Sequence, residues 1–148
     1  MNNNELIILL ADDDKDDCLL FRGALAELQV RTRLTIVYNG EKLMQLLNKT
    51  EQLPDVLFLD LNMPRKNGFA CLIKRKQNEK QKQLPVIALS TSFDQDFVTL
   101  LYQNGAHHYI RKPNEFSQLK EVINRAITLS ARTNFTQSSK EDFVILEE

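Results

Sequence analysis

The chain has 148 residues, enough for one domain with its own core, and its 43% hydrophobic and 26% charged residues exclude global disorder. A formal net charge of −1 gives no global reason to expect nucleic acid or an anionic membrane as a partner. The apolar runs are too short to span a bilayer, and Met1-Asn2-Asn3-Asn4-Glu5 lacks the basic start of a secretory signal, so the chain reads as cytoplasmic.

Short apolar runs alternate with helical patterns. Leu6 to Ala11 is a strand fit for burial on both faces, followed by a helix from Asp16 to Leu28 with Leu20, Ala24 and Leu28 on one stripe. A second strand covers Leu34 to Tyr38, Asn39-Gly40 breaks it, and a short helix covers Glu41 to Asn48. The third strand is Val56 to Asp60, and the third helix runs from about Phe69 to Gln77. Val86 to Ser90 is the fourth strand. Asp94 caps a helix reaching Asn104, where Gly105 stops it. His108 to Ile110 is the fifth strand. Asn114 caps a last helix from Glu115 to about Ser130, with Leu119, Val122, Ile123, Ala126 and Ile127 on its apolar face.

Five βα units imply an α/β fold with a doubly wound, five-stranded parallel sheet of flavodoxin-like order 2-1-3-4-5. Residues 1–130 form the domain. Residues 131–148 form a C-terminal tail, polar at first and ending in Phe143-Val144-Ile145-Leu146, which is flexible by default or else docks on its own domain or a partner. Cys18 and Cys71 read as buried reduced thiols, and His107 and His108 as structural or surface residues. Lys74-Arg75-Lys76 reads as a solvated helix end complementing the C-terminal dipole.

The polar residues fall at the carboxyl ends of strands. Asp12 and Asp13 follow the first, Asp60 ends the third, Ser90 ends the fourth and Lys112 follows the fifth. Parallel strands share one carboxyl rim, so these groups converge. Carboxylates about 4 Å apart repel by roughly 4 kcal/mol per pair at an effective dielectric of 20, so a cation must offset them or they must bind protons. Hard oxygen ligands suit Mg²⁺, and the absence of Cys or His from the cluster argues against zinc. A carboxylate held this way can act as a nucleophile toward phosphorus, with Lys112 balancing one phosphoryl oxygen and the Ser90 hydroxyl donating to another.

Four stretches carry a family resemblance: Leu9-Leu10-Ala11-Asp12-Asp13, Leu57 to Pro64 with Asp60 at its centre, Pro85 to Ser92, and Gly105 to Pro113. Together and in this order the chain resembles the response-regulator receiver (CheY-like) family over about residues 5 to 130. The resemblance implies a two-component phosphoacceptor rather than a classical enzyme. Asp60 would be the phosphoacceptor, Asp12 and Asp13 the acidic metal pair, and Asp60 with the backbone carbonyl of Asn62 the remaining Mg²⁺ ligands. Ser90 and Tyr109 would be the switch residues and Lys112 the phosphate-contacting lysine. Asn62 and Ser92 would tune dephosphorylation, and the Lys112-Pro113 bond would be cis. Asp14, Asp16 and Asp17 read as helix-capping residues. The donor implied is a sensor histidine kinase or histidine phosphotransfer protein. Output would pass to an unknown protein partner through the face formed by the fourth helix, fifth strand and fifth helix, and a phosphorylation-dependent homodimer stays open. No DNA-binding motif follows Ser130.

Three alternatives separate on cheap observations. An FMN-binding flavodoxin would need a Ser/Thr/Gly-rich loop where this chain has Asp12, Asp13, Asp14, Asp16 and Asp17. A haloacid-dehalogenase-type phosphatase would need an acid where Asn62 stands. A pseudo-receiver, a binding module of the same fold, would show no Asp60-dependent response to acetyl phosphate.

Overall fold

A computed structural model of the chain describes residues 5–63, 67–91, 94–132, 137 and 139–145. The elements are β1 (Leu6–Ala11), α1 (Lys15–Ala26), β2 (Thr32–Val37), α2 (Gly40–Lys49), β3 (Val56–Asp60), α3 (Gly68–Lys76), β4 (Val86–Ser90), α4 (Gln95–Gln103), β5 (His108–Arg111), α5 (Phe116–Arg132) and β6 (Val144–Ile145). Every strand pair is parallel, in the order β2-β1-β3-β4-β5-β6. The α/β doubly wound order expected from the sequence is present, with one strand more than the five expected.

Strand alternation sorts the core into two layers. Ile8, Leu10, Phe58, Leu89 and Ile110 face α1 and α5, where they meet Phe21, Leu25, Val122 and Ile123. Leu9, Leu57, Leu59, Val86 and Ala88 face the other side, against Leu43, Leu72 and Leu101 of α2, α3 and α4. Burial on both faces explains why the central strands are unbroken apolar runs.

Helix starts follow local chemistry. The carboxylate of Asp14 accepts the N–H groups of Asp16 and Asp17, and Asn39, Asn67 and Asp94 cap α2, α3 and α4 in the same way. In α5 the first helical bond runs from the Leu119 N–H to the Glu115 carbonyl, so Glu115 takes the cap position expected for Asn114. The buried stripe of α1 is Cys18, Phe21, Ala24 and Leu25, and Leu20 is 41% exposed. Arg75 is also displaced from expectation: it is only 3% exposed, donating from Nε to the Leu84 carbonyl (2.9 Å) and from Nη2 to the Gly105 carbonyl (3.4 Å). Burial lowers its pKa to about 10. His107 and His108 are buried, as are both cysteines.

The described part of the tail docks on the domain. The Gln137 amide donates to the carbonyls of Tyr102 (2.8 Å) and Ala106 (2.9 Å), closing the C-terminal end of α4. Phe143 is 2% exposed, with its ring edge-on to Tyr102 at 5.1 Å between centroids. The Tyr109 N–H donates to the Phe143 carbonyl (2.9 Å), and His108 Nδ1 lies 3.1 Å from the Asp142 carbonyl. Burial lowers the pKa of His108, so its imidazole stays neutral and Nδ1–H serves as the donor. If the docked tail is part of the fold, Phe143→Ala should lower unfolding free energy by about 3 kcal/mol in urea melts. An unchanged midpoint would mean that Phe143 adds nothing to stability.

Candidate functional site

The order β2-β1-β3 reverses chain direction across the sheet between β1 and β3, which opens a crevice at their carboxyl ends. Backbone bonds extend the ladder past the strands and fix the residues beyond their ends. The Asp12 N–H donates to the Val37 carbonyl (3.0 Å), Leu61 N–H to Leu89 (3.0 Å) and Lys112 N–H to Ser90 (2.8 Å). The start of α3 presses against this rim. A Cβ on Gly68 would collide with the Asp60 carbonyl oxygen and lie 2.7 Å from Leu61 Cα, so only glycine lets the helix approach so closely.

The rim gathers the residues singled out in the sequence. Asp12 and Asp60 are buried, Asp13 is exposed, and carboxylate oxygens of the three lie within 4.8 Å of one another. Lys112 Nζ is 3.0 Å from Asp12 Oδ2 and 3.7 Å from Asp60 Oδ2. Asp60 Oδ1 accepts the Asn62 N–H (3.1 Å), and the Asn62 side-chain amide is 3.5 Å from Ser90 Oγ. Tyr109 is buried beside this group, on the strand next to β4, and its hydroxyl is hydrogen-bonded to Ser90. Ser92 lies outside the described residues. The expected cis bond is not found: Lys112-Pro113 is trans, as are all peptide bonds among the described residues, in keeping with the intrinsic preference of X–Pro for trans.

One contact escapes the sequence pattern. Asp17, which reads as a dipole-complementing residue, places Oδ2 3.1 Å from Lys112 Nζ. The available signal is that the first turn of α1 leaves the same rim at which Lys112 arrives.

The electrostatics are unbalanced. Burial pushes the Asp60 carboxyl up to about 6; Lys112 and the Asn62 N–H work against this, and Asp12 reinforces it. Burial works to lower the Lys112 pKa, but Asp12 and Asp60 outweigh it and the net shift is upward, so the ammonium is held charged. The donor set is hard oxygen. Cys18 is near, but burial, and after it Asp12, pushes its thiol up to about 12, so it stays protonated and donates to the Asp12 carbonyl (3.5 Å). The residues present therefore fit a small divalent cation such as Mg²⁺ or Mn²⁺ and do not fit a thiolate-bound metal.

A carboxyl whose folded-state pKa exceeds its ordinary value of about 4 is easier to protonate in the folded chain, so this contribution to stability improves as pH falls from about 6 toward 4 and is least favourable above pH 6. Asp60→Asn should therefore stabilise the metal-free protein by about 1 kcal/mol at pH 7 in EDTA, with a smaller gain at pH 5. Urea midpoints of both proteins at the two pH values check this, and an Asn variant no more stable than wild type at pH 7 would count against charge strain at Asp60.

The same rim and fold recur in known proteins. The family model described as the response regulator receiver domain matches residues 8–124. Response regulator Rcp1 of Synechocystis sp. is 30% identical over 127 residues, covering 82% of this chain and 86% of that protein. The Mn²⁺-bound crystal structure of Rcp1 superposes with a TM-score of 0.78 at 28% identity, covering 90% of this chain and 99% of that one. The phosphorylated cyanobacterial phytochrome response regulator RcpA also gives 0.78, at 31% identity, covering 91% and 99%. Family model, relative and fold agree over the segment that carries the acidic rim, and the chain belongs to the response regulator receiver domain family.

Proposed function

We propose that Asp60 accepts a phosphoryl group from a phosphohistidine donor, a sensor histidine kinase or a histidine phosphotransfer protein, and that the acyl phosphate switches a protein-binding face. The observation that carries this reading is the meeting of Asp12, Asp13 and Asp60 with Lys112 in the β1/β3 crevice. Asp12, Asp13, Asp60 and the backbone carbonyl of Asn62 would hold Mg²⁺. When bound, that ion neutralises carboxylate charge and offers a coordination position to a phosphoryl oxygen. The Mn²⁺-bound form of Rcp1 supports this assignment.

The chain's own residues supply the rest. The Asn62 N–H holds one oxygen of Asp60, orienting the carboxylate for in-line attack. An Asp60 oxygen bonds to phosphorus as the P–N bond of the donor breaks, and the electron pair of that bond stays on the imidazole nitrogen. Lys112 stabilises the charge on the transferred group, and Ser90 donates its hydroxyl to it. Asn62 and Ser92, each two positions past a site residue in the sequence, tune hydrolysis of the acyl phosphate. The chain thus promotes its own phosphorylation and dephosphorylation without turning over an external substrate. Phosphohistidine donors and reduced thiols support a cytoplasmic location.

Signal transmission begins at Ser90. Its hydroxyl faces Asn62 and Tyr109, so turning it to the phosphoryl group takes a partner from the tyrosine. Tyr109 is also the residue whose N–H holds the tail. The responding surface is therefore α4, β5 and α5 together with β6, rather than a bare β5 edge. A partner protein, or a second copy of the chain, would read that composite face.

Incubation with acetyl phosphate and Mg²⁺ should add one phosphoryl group to the wild type by intact mass and none to Asp60→Asn. Asp12→Asn should slow the addition by about a hundredfold. Equal labelling of the Asp60→Asn variant, or none of the wild type, would falsify the assignment and favour a pseudo-receiver.

A further inference from the structure

Lys112 does not wait at the phosphorylation site with its charge uncommitted. Its ammonium has three N–H donors. Two are spent on Asp12 Oδ2 at 3.0 Å and Asp17 Oδ2 at 3.1 Å. Asp60 Oδ2 is farther, at 3.7 Å, beyond a direct hydrogen bond. Asp17 thus holds the lysine on the α1 side of the crevice. Its carboxylate is not one of the three whose oxygens converge into a cation-binding group, and Lys112 is the one ion-pair partner it has among the described residues. Asp17 and Lys112 approach from opposite ends of the domain sequence, so their contact is tertiary and not a property of the α1 N-terminus.

We propose that Asp17 is a positioning residue that competes with the phosphoryl group for Lys112, and so sets how strongly this receiver retains a phosphoryl group on Asp60. The inference rests on the phosphoacceptor reading above. Before transfer, the Asp17–Lys112 pair keeps the ammonium close to a crevice crowded with carboxylates. After transfer, a group of about −2 charge on Asp60 draws the ammonium away, and the Asp17 pair must break. Part of the lysine–phosphoryl attraction is offset by that loss, so the activated state is weaker than it would be with a neutral side chain at position 17. Asp17 is 39% exposed in its side chain, which keeps the competition modest. Because the pair lies at the solvent boundary, it can open and close without disturbing the buried Asp12 contact.

The test uses the full chain with beryllofluoride, a phosphoryl mimic, at fixed Mg²⁺, with affinity read from amide chemical shifts. Asp17→Asn should bind the mimic up to about fivefold more tightly than wild type, and its aspartyl phosphate formed from acetyl phosphate should persist longer by a similar factor. Asp17→Glu, which keeps the charge, should stay near the wild-type values. Asp16→Asn removes a neighbouring exposed charge from the same turn and should leave affinity unchanged, which separates competition for Lys112 from a general gain of positive potential. In a Lys112→Met background the Asp17→Asn effect should vanish. Equal tightening by Asp16→Asn, an Asp17→Asn affinity equal to or weaker than wild type, or a full effect without Lys112 would each overturn the inference while leaving phosphorylation of Asp60 intact. Failure of the wild type to bind the mimic would overturn the phosphoacceptor reading and this inference with it.

Discussion

The arrangement of this receiver is governed by one electrostatic constraint: carboxylates from two strand ends and a helix are packed against the single ammonium of Lys112. The sheet makes this unavoidable, because β1 and β3 are neighbours and each leads directly into an aspartate at the shared rim. The ladder bonds of Asp12, Leu61 and Lys112 hold the three segments in register, and Gly68 lets α3 close in behind Asp60. Water cannot screen the charge freely, since Asp12 and Asp60 are buried. The folding energy of two complete apolar layers maintains a site that is locally unfavourable, a common relation between scaffold and function. A divalent cation held among these carboxylates would relieve the repulsion that the scaffold imposes.

Much of this is legible in the sequence for an identifiable reason. β1, β3 and β4 match their expected ranges because both faces of each are covered, which leaves an unbroken apolar run with a polar end mark. β2 begins two residues earlier than its apolar pattern does, because it is an edge strand, where Thr32 and Arg33 are tolerated. The site residues are readable as a set because strand polarity alone sends Asp12, Asp13, Asp60, Ser90 and Lys112 to the same rim.

Other features depend on contacts that no local pattern encodes. Periodicity draws the stripe of α1 through Leu20, yet Cys18 and Phe21 are the buried positions, and both stripes share Ala24. Phe21 meets Phe58 edge-on, a contact only the sheet can offer. Arg75 sits in a basic run that points to solvent, but its partners are backbone carbonyls of Leu84 and Gly105, invisible at the level of side-chain identity. Asp17 looks like helix-terminus chemistry, and its true neighbour comes from the far side of the chain. β6 has two residues, too few to show any period.

That two-residue strand alters what kind of surface the protein presents. The border of a sheet is a template on which any extended chain can lay itself down, and in a five-stranded arrangement the strand bearing Tyr109 would be that border. Here its outer backbone is already engaged, and the exposed margin has passed to a short segment. β5 is thereby insulated from indiscriminate association. On the switch proposed above, a change felt by Tyr109 would reach the surface through side-chain shifts or through the short strand laid over it, and the C-terminal segment would then carry signal rather than merely cover an edge.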